Sequence, residues 1–180
     1  MRIIGGQYGR RTIRPPKNLP VRPTTDLAKE SLFNILSNKT DFENKMALDL
    51  FAGTGSIAFE FASRYCDEVI AVDKNHQCIQ FIKTTASDFG MQNLQAIRAD
   101  VFRFIQSTAK KFNIIFADPP YALENIEMIS RLVFENELLT TDGWLIVEHP
   151  REIDFSEQEH FVEHRKYGKV NFSFFSGMML

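Results

Sequence analysis

Residues 46–55 read Met-Ala-Leu-Asp-Leu-Phe-Ala-Gly-Thr-Gly, and this stretch decides the fold of the chain. Its apolar first part, 46–51, predicts a buried strand, and the glycines after it predict a tight turn into a helix at about 56–64. Similar patterns alternate along the rest of the chain. The predicted strands are 68–73, 94–99, 112–117 and 144–148, and the predicted helices are 26–36, 75–89, 101–109 and 126–134.

Strands that alternate with helices of this length form right-handed crossovers and a parallel sheet that is covered on both faces. The tail differs, because strand-like runs at 161–165 and 170–175 surround Tyr167-Gly168 and predict an antiparallel hairpin added to the sheet. The sequence therefore predicts a doubly wound, Rossmann-like α/β domain at 26–180, preceded by a short segment, 1–25.

The composition fits one globular domain, since the 180 residues are 44% apolar and 24% charged. No run of 18 or more uncharged apolar residues occurs and the N-terminus lacks the apolar centre of a signal peptide, so we expect a soluble cytoplasmic protein. Cys66 and Cys78 match no metal or redox spacing and predict buried free thiols. The four histidines form no ligand cluster, so no metal is predicted.

Charge is distributed unevenly along the chain. Residues 1–22 carry six basic and no acidic side chains, which leaves a net charge of −8 on the remaining residues. The basic residues are Arg2, Arg10, Arg11, Arg14, Lys17 and Arg22. Because glycines and prolines recur in this segment, we expect an adaptable, mostly extended arm that contacts the phosphates of a polyanion. A solvated tail without a partner is the alternative.

The glycine turn predicts a cofactor pocket, because ligands of open α/β sheets bind beyond the carboxyl ends of the strands. Gly53 and Gly55 permit a tight turn, and the next helix offers its N-terminal N–H groups to an anion. Asp49 is placed to accept from an ammonium group, so the pattern favours the methionine part of S-adenosylmethionine. Asp73 ends the next strand and is placed for the ribose hydroxyls, and Asp100 for the adenine amine.

A dinucleotide is the alternative ligand for this loop. Gly53, Gly55 and Ala58 also satisfy G-x-G-x-x-A, which is a weak pattern on its own. Asp49 argues against it, since a carboxylate beside the loop suits an ammonium group better than a pyrophosphate. The predicted cofactor-binding residues are Asp49, Phe51, Ala52, Gly53, Thr54, Gly55, Asp73, Lys74, Asp100 and Val101.

The tetrapeptide Asp118-Pro119-Pro120-Tyr121, which closes strand 112–117, predicts the acceptor pocket. The exocyclic amine of a nucleobase is a poor nucleophile because its lone pair is delocalised into the ring. The Asp118 carboxylate and the Pro119 carbonyl would accept its two N–H bonds and stabilise the growing positive charge. The prolines fix the direction of the carbonyl, and Tyr121 would stack on the base. Taken alone, the tetrapeptide also fits a simple turn.

These residues together resemble the RsmD family, the bacterial 16S rRNA guanine-N2 methyltransferases. The segments that carry the resemblance are 2–6, 22–24, 31–36, 49–55, Glu60, 63–64, 118–121 and 167–168. The resemblance implies a class I methyltransferase fold, S-adenosylmethionine as cofactor, and 118–121 as catalytic residues. It also implies that the substrate is guanine 966 of 16S rRNA in the 30S subunit or its assembly intermediate. We therefore expect RNA to be the polyanion that the basic arm, 1–25, binds, and we expect a monomer.

Four positions depart from the family pattern. Leu27 and Lys29 stand where arginines are common, and we expect this to weaken the grip on phosphate by one charge at most. Tyr65 replaces a common glycine, and Asp73 replaces the usual glutamate while keeping a ribose acceptor. Two other functions remain open: a DNA adenine-N6 methyltransferase, because the tetrapeptide does not choose between adenine and guanine, and a non-catalytic ribosome assembly factor with this fold.

Overall fold

The protein is described by a computed structural model that covers residues 1–16, 19 and 25–178. Five helices and seven strands follow one another in this part of the chain. They are α1 (Asp26–Lys39), β1 (Met46–Leu50), α2 (Ser56–Ser63), β2 (Glu68–Asp73), α3 (His76–Phe89), β3 (Leu94–Arg98), α4 (Val101–Ser107), β4 (Phe112–Ala117), α5 (Met128–Glu135), β5 (Leu139–His149), β6 (Phe161–Tyr167) and β7 (Val170–Ser176).

The strands form one sheet in the order β3-β2-β1-β4-β5-β7-β6. Strands β1 to β5 are parallel to their neighbours, whereas β7 pairs antiparallel with both β5 and β6. The predicted doubly wound α/β fold with an antiparallel C-terminal hairpin is thus confirmed. The order reverses between β1 and β4, and this is the point where such sheets bind their ligands.

Some predicted boundaries are wrong by several residues. Strand β5 begins at Leu139 and not at 144, because the chain stays extended through Asp142-Gly143 where the β4–β5 register shifts. Helix α1 continues to Lys39, beyond the predicted end at 36, while α5 begins at Met128. Asn75 belongs to the cap of α3, since its side chain accepts from the N–H groups of the first turn.

The two faces of the sheet bury separate apolar cores. One face packs against α1, α2, α3 and the first residues of the chain, and the other face packs against α4 and α5. Successive side chains of a strand point to opposite faces of the sheet. A residue two positions from a core side chain therefore lies on the same face as that side chain. The predicted free thiols of Cys66 and Cys78 are confirmed and are both buried. In the described residues no helix is long and apolar enough to cross a membrane.

The first 13 residues form a docked hairpin, which corrects the expectation of an adaptable, extended arm. Arg2 bridges Thr12 in antiparallel fashion, and the N–H of Ile3 donates to Arg11 O over 2.9 Å. Ile3, Tyr8 and Ile13 are buried in the same core as α1 and α2. The glycines and the positive φ of Arg10 (69°) therefore serve a compact turn that returns the chain to the domain.

The hairpin is held by a buried carboxylate on α2. All eight residues of this helix are buried, so Glu60 must find its partners inside the protein. Its two oxygens accept from the N–H groups of Ile4 and Gly5, each at 2.8 Å, and Oε1 also accepts from Arg64 Nε at 2.9 Å. Residues 1–13, which we call the N-terminal hairpin, are thereby tied to the helix that follows the glycine loop.

Lys29 also lies inside the protein. The expectation that its charge takes part in phosphate binding is therefore wrong. Its Nζ donates to Arg2 O at 2.5 Å and to Ser56 Oγ at 3.2 Å, and it lies 3.9 Å from Glu60. Desolvation lowers the pKa of Lys29, and the Glu60 charge opposes that shift. Tyr65 has φ of 68°, a left-handed backbone that explains the preference for glycine at this position in the family.

Candidate active site

Four carboxylates lie where neighbouring strands end. They are Asp49 in β1, Asp73 at the end of β2, Asp118 directly after β4, and Glu148 in β5. The residue two positions before each acid belongs to the core between the sheet and α1, α2 and α3; these residues are Ala47, Ala71, Phe116 and Ile146. Because side chains alternate along a strand, all four acids lie on the face of the sheet that packs against these helices. The predicted cofactor and acceptor residues of these strands are therefore brought to one edge and one face.

The glycine loop makes the tight turn that the sequence predicts. Phe51 leaves β1 with φ of 61°, and Gly55 begins α2 with φ of 74°. The N–H of Gly53 donates to Asp73 Oδ2 over 2.8 Å, which fixes the loop to the end of the neighbouring strand. A Cβ on Gly55 would stand 2.8 Å from Ile82 of α3, so a side chain has no room at this point. Asp73 of β2 and Ile82 of α3 thus confine the loop.

Asp49 lies at the base of this loop and is buried. Its Oδ2 accepts from the N–H of Ala58 in the first turn of α2 at 2.9 Å, so it also orients the helix. The pKa of Asp49 is raised to about 8, mainly by burial and also by the charge of Asp73, while the hydrogen bond from Ala58 opposes the shift. A cation beside Asp49 would relieve this unfavourable desolvation, as expected for a ligand that carries an ammonium group.

The other predicted cofactor residues lie around the same edge. Asp73 is half-buried and uses Oδ1 to accept from Asn75 N–H at 2.7 Å, while Lys74 is exposed. Asp100 is exposed and caps α4 through the N–H of Arg103 at 3.1 Å, and Val101 beside it is buried. Both acids thus have local hydrogen bonds of the kind that cap a strand or a helix, and their contacts with a ligand stay predictions.

The chemistry of this set fits S-adenosylmethionine. The N-cap of α2 is Gly55, which supplies no side-chain acceptor, so the first turn keeps N–H groups for a carboxylate. Acidic side chains lie at the ends of β1, β2 and β3, in positions suited to an ammonium group, a diol and an amine. Thr54 is buried, and its hydroxyl donates to Met1 Sδ at 3.4 Å, so the N-terminal hairpin touches the loop itself.

The acceptor tetrapeptide leaves the sheet directly beside the glycine loop. The N–H of Asp118 donates to Leu50 O, the last residue of β1, at 3.3 Å. Asp118 is half-buried, Pro119 is buried, and Pro120 is exposed. Tyr121 is 48% exposed, and its hydroxyl donates to Glu148 Oε1 over 3.4 Å. A half-exposed aromatic side chain is thus bonded to a carboxylate at a strand end.

Four of the six predicted RNA-binding residues lie in the N-terminal hairpin or just after it. Arg2, Arg10, Arg11 and Arg14 are all exposed, which leaves their charges available to a polyanion. The Arg11 guanidinium lies 5.2 Å from the rings of Tyr8 and Phe89, so its position is set by stacking. Lys17 and Arg22 lie outside the described residues.

Sequence reasoning missed Glu148 as a site residue, although a signal was present. The run 144–148 ends in an acid after apolar residues, the same pattern that singled out Asp49, Asp73 and Asp118. Sequence reasoning also assigned no role to Glu60 and placed Lys29 on the surface. In the structure the two side chains form a buried ion pair under the N-terminal hairpin. Among the described residues, no group of three or more His, Cys, Asp or Glu side chains is arranged to hold a metal ion.

The fold and the strand-end site define a class I methyltransferase that uses S-adenosylmethionine. The solved structure described as "Putative methyltransferase yhhF from Escherichia coli" superposes with a TM-score of 0.86 at 26% identity, covering 100% of this chain and 99% of that chain. The family model described as conserved hypothetical protein 95 matches residues 1–176. The chain therefore belongs to that family, the RsmD family of methyltransferases.

Two curated relatives have informative names. The Bacillus subtilis (strain 168) protein named "Putative rRNA methyltransferase YlbH" is 34% identical over 161 residues, which span 87% of this chain and 86% of that protein. The Escherichia coli (strain K12) protein named "Ribosomal RNA small subunit methyltransferase D" is 29% identical over 148 residues, 82% of this chain and 74% of that protein. Both matches extend through most of the domain.

Proposed function

We propose that this protein transfers a methyl group from S-adenosylmethionine to the exocyclic N2 amine of one guanine in small-subunit rRNA. One observation carries the proposal. Asp118-Pro119 emerges beside the glycine loop, because the Asp118 N–H is bonded to the last residue of the strand from which that loop departs. An amine held by Asp118 would then face a donor that is held by residues 51–55.

The names of the relatives support RNA as the acceptor, since both contain rRNA or ribosomal RNA. The exposed arginines of the N-terminal hairpin supply the charge that phosphate contacts need. We extend the proposal to guanine 966 of 16S rRNA, in the 30S subunit or its assembly intermediate, with a monomeric enzyme in the cytoplasm.

Activation of the amine is the task of Asp118 and Pro119. Their carboxylate and carbonyl oxygens would accept the two N2–H bonds and draw the nitrogen towards a tetrahedral geometry, which returns its lone pair from the ring. The same oxygens stabilise the positive charge that grows on nitrogen in the transition state. After methyl transfer the positively charged nitrogen loses one of its two protons, and the Asp118 carboxylate, which already accepts a hydrogen bond from it, would take that proton.

S-adenosylmethionine, when bound, supplies a methyl group on a sulfonium, which is a good leaving group. The protein's part is alignment, because a held amine and a held donor react as one unit and no nucleophile from the protein is needed. Asp49 would bind the ammonium group, Asp73 the ribose and Asp100 the adenine amine. The tight loop at Gly53 and Gly55 would hold the donor beside the tetrapeptide.

The acceptor base must leave its stack to enter this pocket. Tyr121 is suited to receive it, since its ring is exposed and base stacking on an aromatic ring contributes about 1–3 kcal/mol per base. The hairpin arginines would hold the flanking phosphates. Binding of the RNA and extrusion of the base are thus assigned to different residues, which makes them separable by mutation.

Methyl transfer to 30S subunits from a strain that lacks the enzyme tests the proposal. Wild-type protein is expected to label 16S rRNA, whereas Asp118→Asn is expected to lose at least about a hundredfold in rate while it still binds S-adenosylhomocysteine. The matched control is Asp88→Asn, an exposed aspartate on α3, which should keep its rate. No label with wild-type protein that binds the cofactor would instead favour a ribosome-binding factor without catalysis.

A further inference from the structure

Guanine and adenine present different groups beside their amines. In guanine the 2-amine is flanked by N1–H, so two neighbouring positions of the base edge donate hydrogen bonds. In adenine the 6-amine is flanked by N1 with a lone pair, which accepts. A carboxylate only accepts, so one placed opposite position 1 would bind guanine and repel adenine. In the proposed function, Asp118 and Pro119 accept only from the amine, which both bases carry, so they cannot make this distinction.

Glu148 is the residue next to Asp118 across the sheet. Strands β4 and β5 are parallel and Ala117 pairs with Val147, so residues 118 and 148 occupy the next position of the register. Neighbouring strands are about 4.8 Å apart, so the side chains of residues 118 and 148 are near enough for their oxygens to converge on neighbouring donors of one base edge. Ile146 and Phe116 join the same core, so both side chains lie on the face that carries the glycine loop.

Glu148 is 6% exposed, and a buried acid must be hydrogen-bonded by neighbouring groups. The Tyr121 hydroxyl is one of these groups, at 3.4 Å from Oε1. Tyr121 belongs to the acceptor tetrapeptide, and about half of its surface is exposed. A contact of this length, between an exposed tyrosine and a buried acid, is suited to exchange for a better donor when a base enters.

We infer that Glu148 determines the base specificity of this enzyme by accepting the N1–H of guanine, while Asp118 and Pro119 hold the 2-amine. Tyr121 holds the carboxylate until the base arrives and then stacks on the base. The inference rests on the proposed function, which it deepens, because it names the group that separates guanine from adenine. It also adds a second negative charge beside the nitrogen that becomes positive.

A substrate that keeps the amine but changes position 1 tests this role. In 2-aminopurine the 2-amine is present, N1 is an acceptor without hydrogen, and the 6-oxygen is absent. The change of the substrate ratio in a Glu148 variant therefore reports on position 1 more directly than the wild-type ratio does. The measurement compares single-turnover rates on two small-subunit RNAs that differ only by guanine or 2-aminopurine at the target position. Wild type should prefer guanine by about tenfold to a hundredfold. Glu148→Gln, whose amide N–H can donate to N1, should reduce this ratio at least about tenfold.

A structural role would not move this ratio, because loss of packing slows both substrates alike. Binding of S-adenosylhomocysteine by calorimetry should be unchanged in Glu148→Gln, and exposed Glu152→Gln serves as the matched control with the wild-type ratio. An unchanged ratio in folded Glu148→Gln overturns the inference, as do equal rates of wild type on the two RNAs, a result that needs no variant. Failure of wild type to methylate the guanine RNA overturns the proposed function and the inference with it.

Discussion

Gly5 donates its backbone N–H to Oε1 of Glu60 over 2.8 Å, across 55 residues of sequence. This bond makes the N-terminal hairpin part of the domain that carries the cofactor loop. Deletion of the N-terminal hairpin would leave the buried Glu60 carboxylate without its backbone donors and would expose the core at Ile3 and Ile13. A loss of RNA binding after such a deletion would therefore not show that the hairpin contacts RNA. Point substitutions are needed to separate the contribution of the hairpin's charges to RNA binding from its contribution to the stability of the domain.

Glu60→Ala is predicted to destabilise the protein strongly. Removal of the carboxylate leaves buried Lys29 without its counter-charge and the N–H groups of Ile4 and Gly5 without an acceptor. Loss of one partner of a buried pair costs about 3–5 kcal/mol. Urea unfolding measures this change, and Glu135→Ala, in the exposed pair with Arg131, should change stability by less than about 1 kcal/mol. An equally small change for Glu60→Ala would contradict the assignment of Glu60 as the residue that holds the N-terminal hairpin.

The triple variant Arg10→Gln, Arg11→Gln, Arg14→Gln is predicted to lose RNA affinity without loss of cofactor affinity. All three side chains are exposed, and each phosphate contact that is removed should reduce the slope of log affinity against log salt by about one. Filter binding to small-subunit RNA at several salt concentrations gives the slope. Exposed Lys110, Lys111 and Arg131, replaced in the same way, are the control. Equal slopes in both triple variants would exclude the hairpin as an RNA contact.

Gly55→Ala is predicted to cost more than Gly90→Ala, although both glycines have nearly equal φ, 74° and 69°. Left-handed backbone costs alanine about 1–2 kcal/mol at either position. At Gly55 the new Cβ also meets Ile82 at 2.8 Å and Phe59 at 3.0 Å, whereas nothing lies within 4 Å at Gly90. Thermal unfolding and S-adenosylhomocysteine calorimetry should show extra destabilisation and weaker binding only in Gly55→Ala. Identical effects would mean that the loop has room to adjust.

Asp49→Asn is predicted to gain stability relative to wild type as the pH rises from about 4 to about 8. Burial raises the pKa of Asp49 to about 8 in the folded state, whereas the unfolded chain releases this proton near the ordinary value of 3.8. The contribution of Asp49 to stability is therefore full below its ordinary pKa and is lost as the pH rises through the folded value. An asparagine at this position does not titrate, so it avoids that loss.

Urea unfolding at several pH values measures this difference for Asp49→Asn. Exposed Asp142 supplies the control, because hydrogen bonds from Lys45 and Thr140 lower its pKa. The stability difference for Asp142→Asn should change only in the acid range, below about pH 5, and stay flat above it. Asp49→Asn should also bind S-adenosylhomocysteine more weakly, since it lacks the charge that faces the ammonium group. A difference for Asp49→Asn that is flat with pH would contradict a raised pKa at this position.

Apolar runs that end in an acidic residue made much of the fold, and the position of the candidate site on it, predictable from sequence. Apolar runs closed by Asp49, Asp73 and Asp118 located three strands and the edge where they meet, because period and turn chemistry are local properties. The docked hairpin was not predictable in this way. Its glycines and arginines are also typical of a flexible arm, and only the contact between Glu60 and residues 4–5, distant in sequence, shows that the segment is folded.

Burial of charge was the other feature that local patterns concealed. Lys29 stands on α1 among polar residues and is typical of a solvated helix face, yet it is buried because the hairpin covers it. Glu148 follows the same pattern as the three aspartates, but its meaning depends on the register that places it beside Asp118. Both residues gain their roles from pairing between distant segments.

The identity of the methylated nucleoside tests the central claim most directly. Small subunits from a strain without the enzyme are incubated with the protein and labelled S-adenosylmethionine, and the 16S rRNA is digested to nucleosides for mass spectrometry. Wild type is predicted to yield N2-methylguanosine as the labelled product, and Asp118→Ala to yield none. Labelled N6-methyladenosine, or N2-methylguanosine formed equally well by Asp118→Ala, would contradict the proposed chemistry.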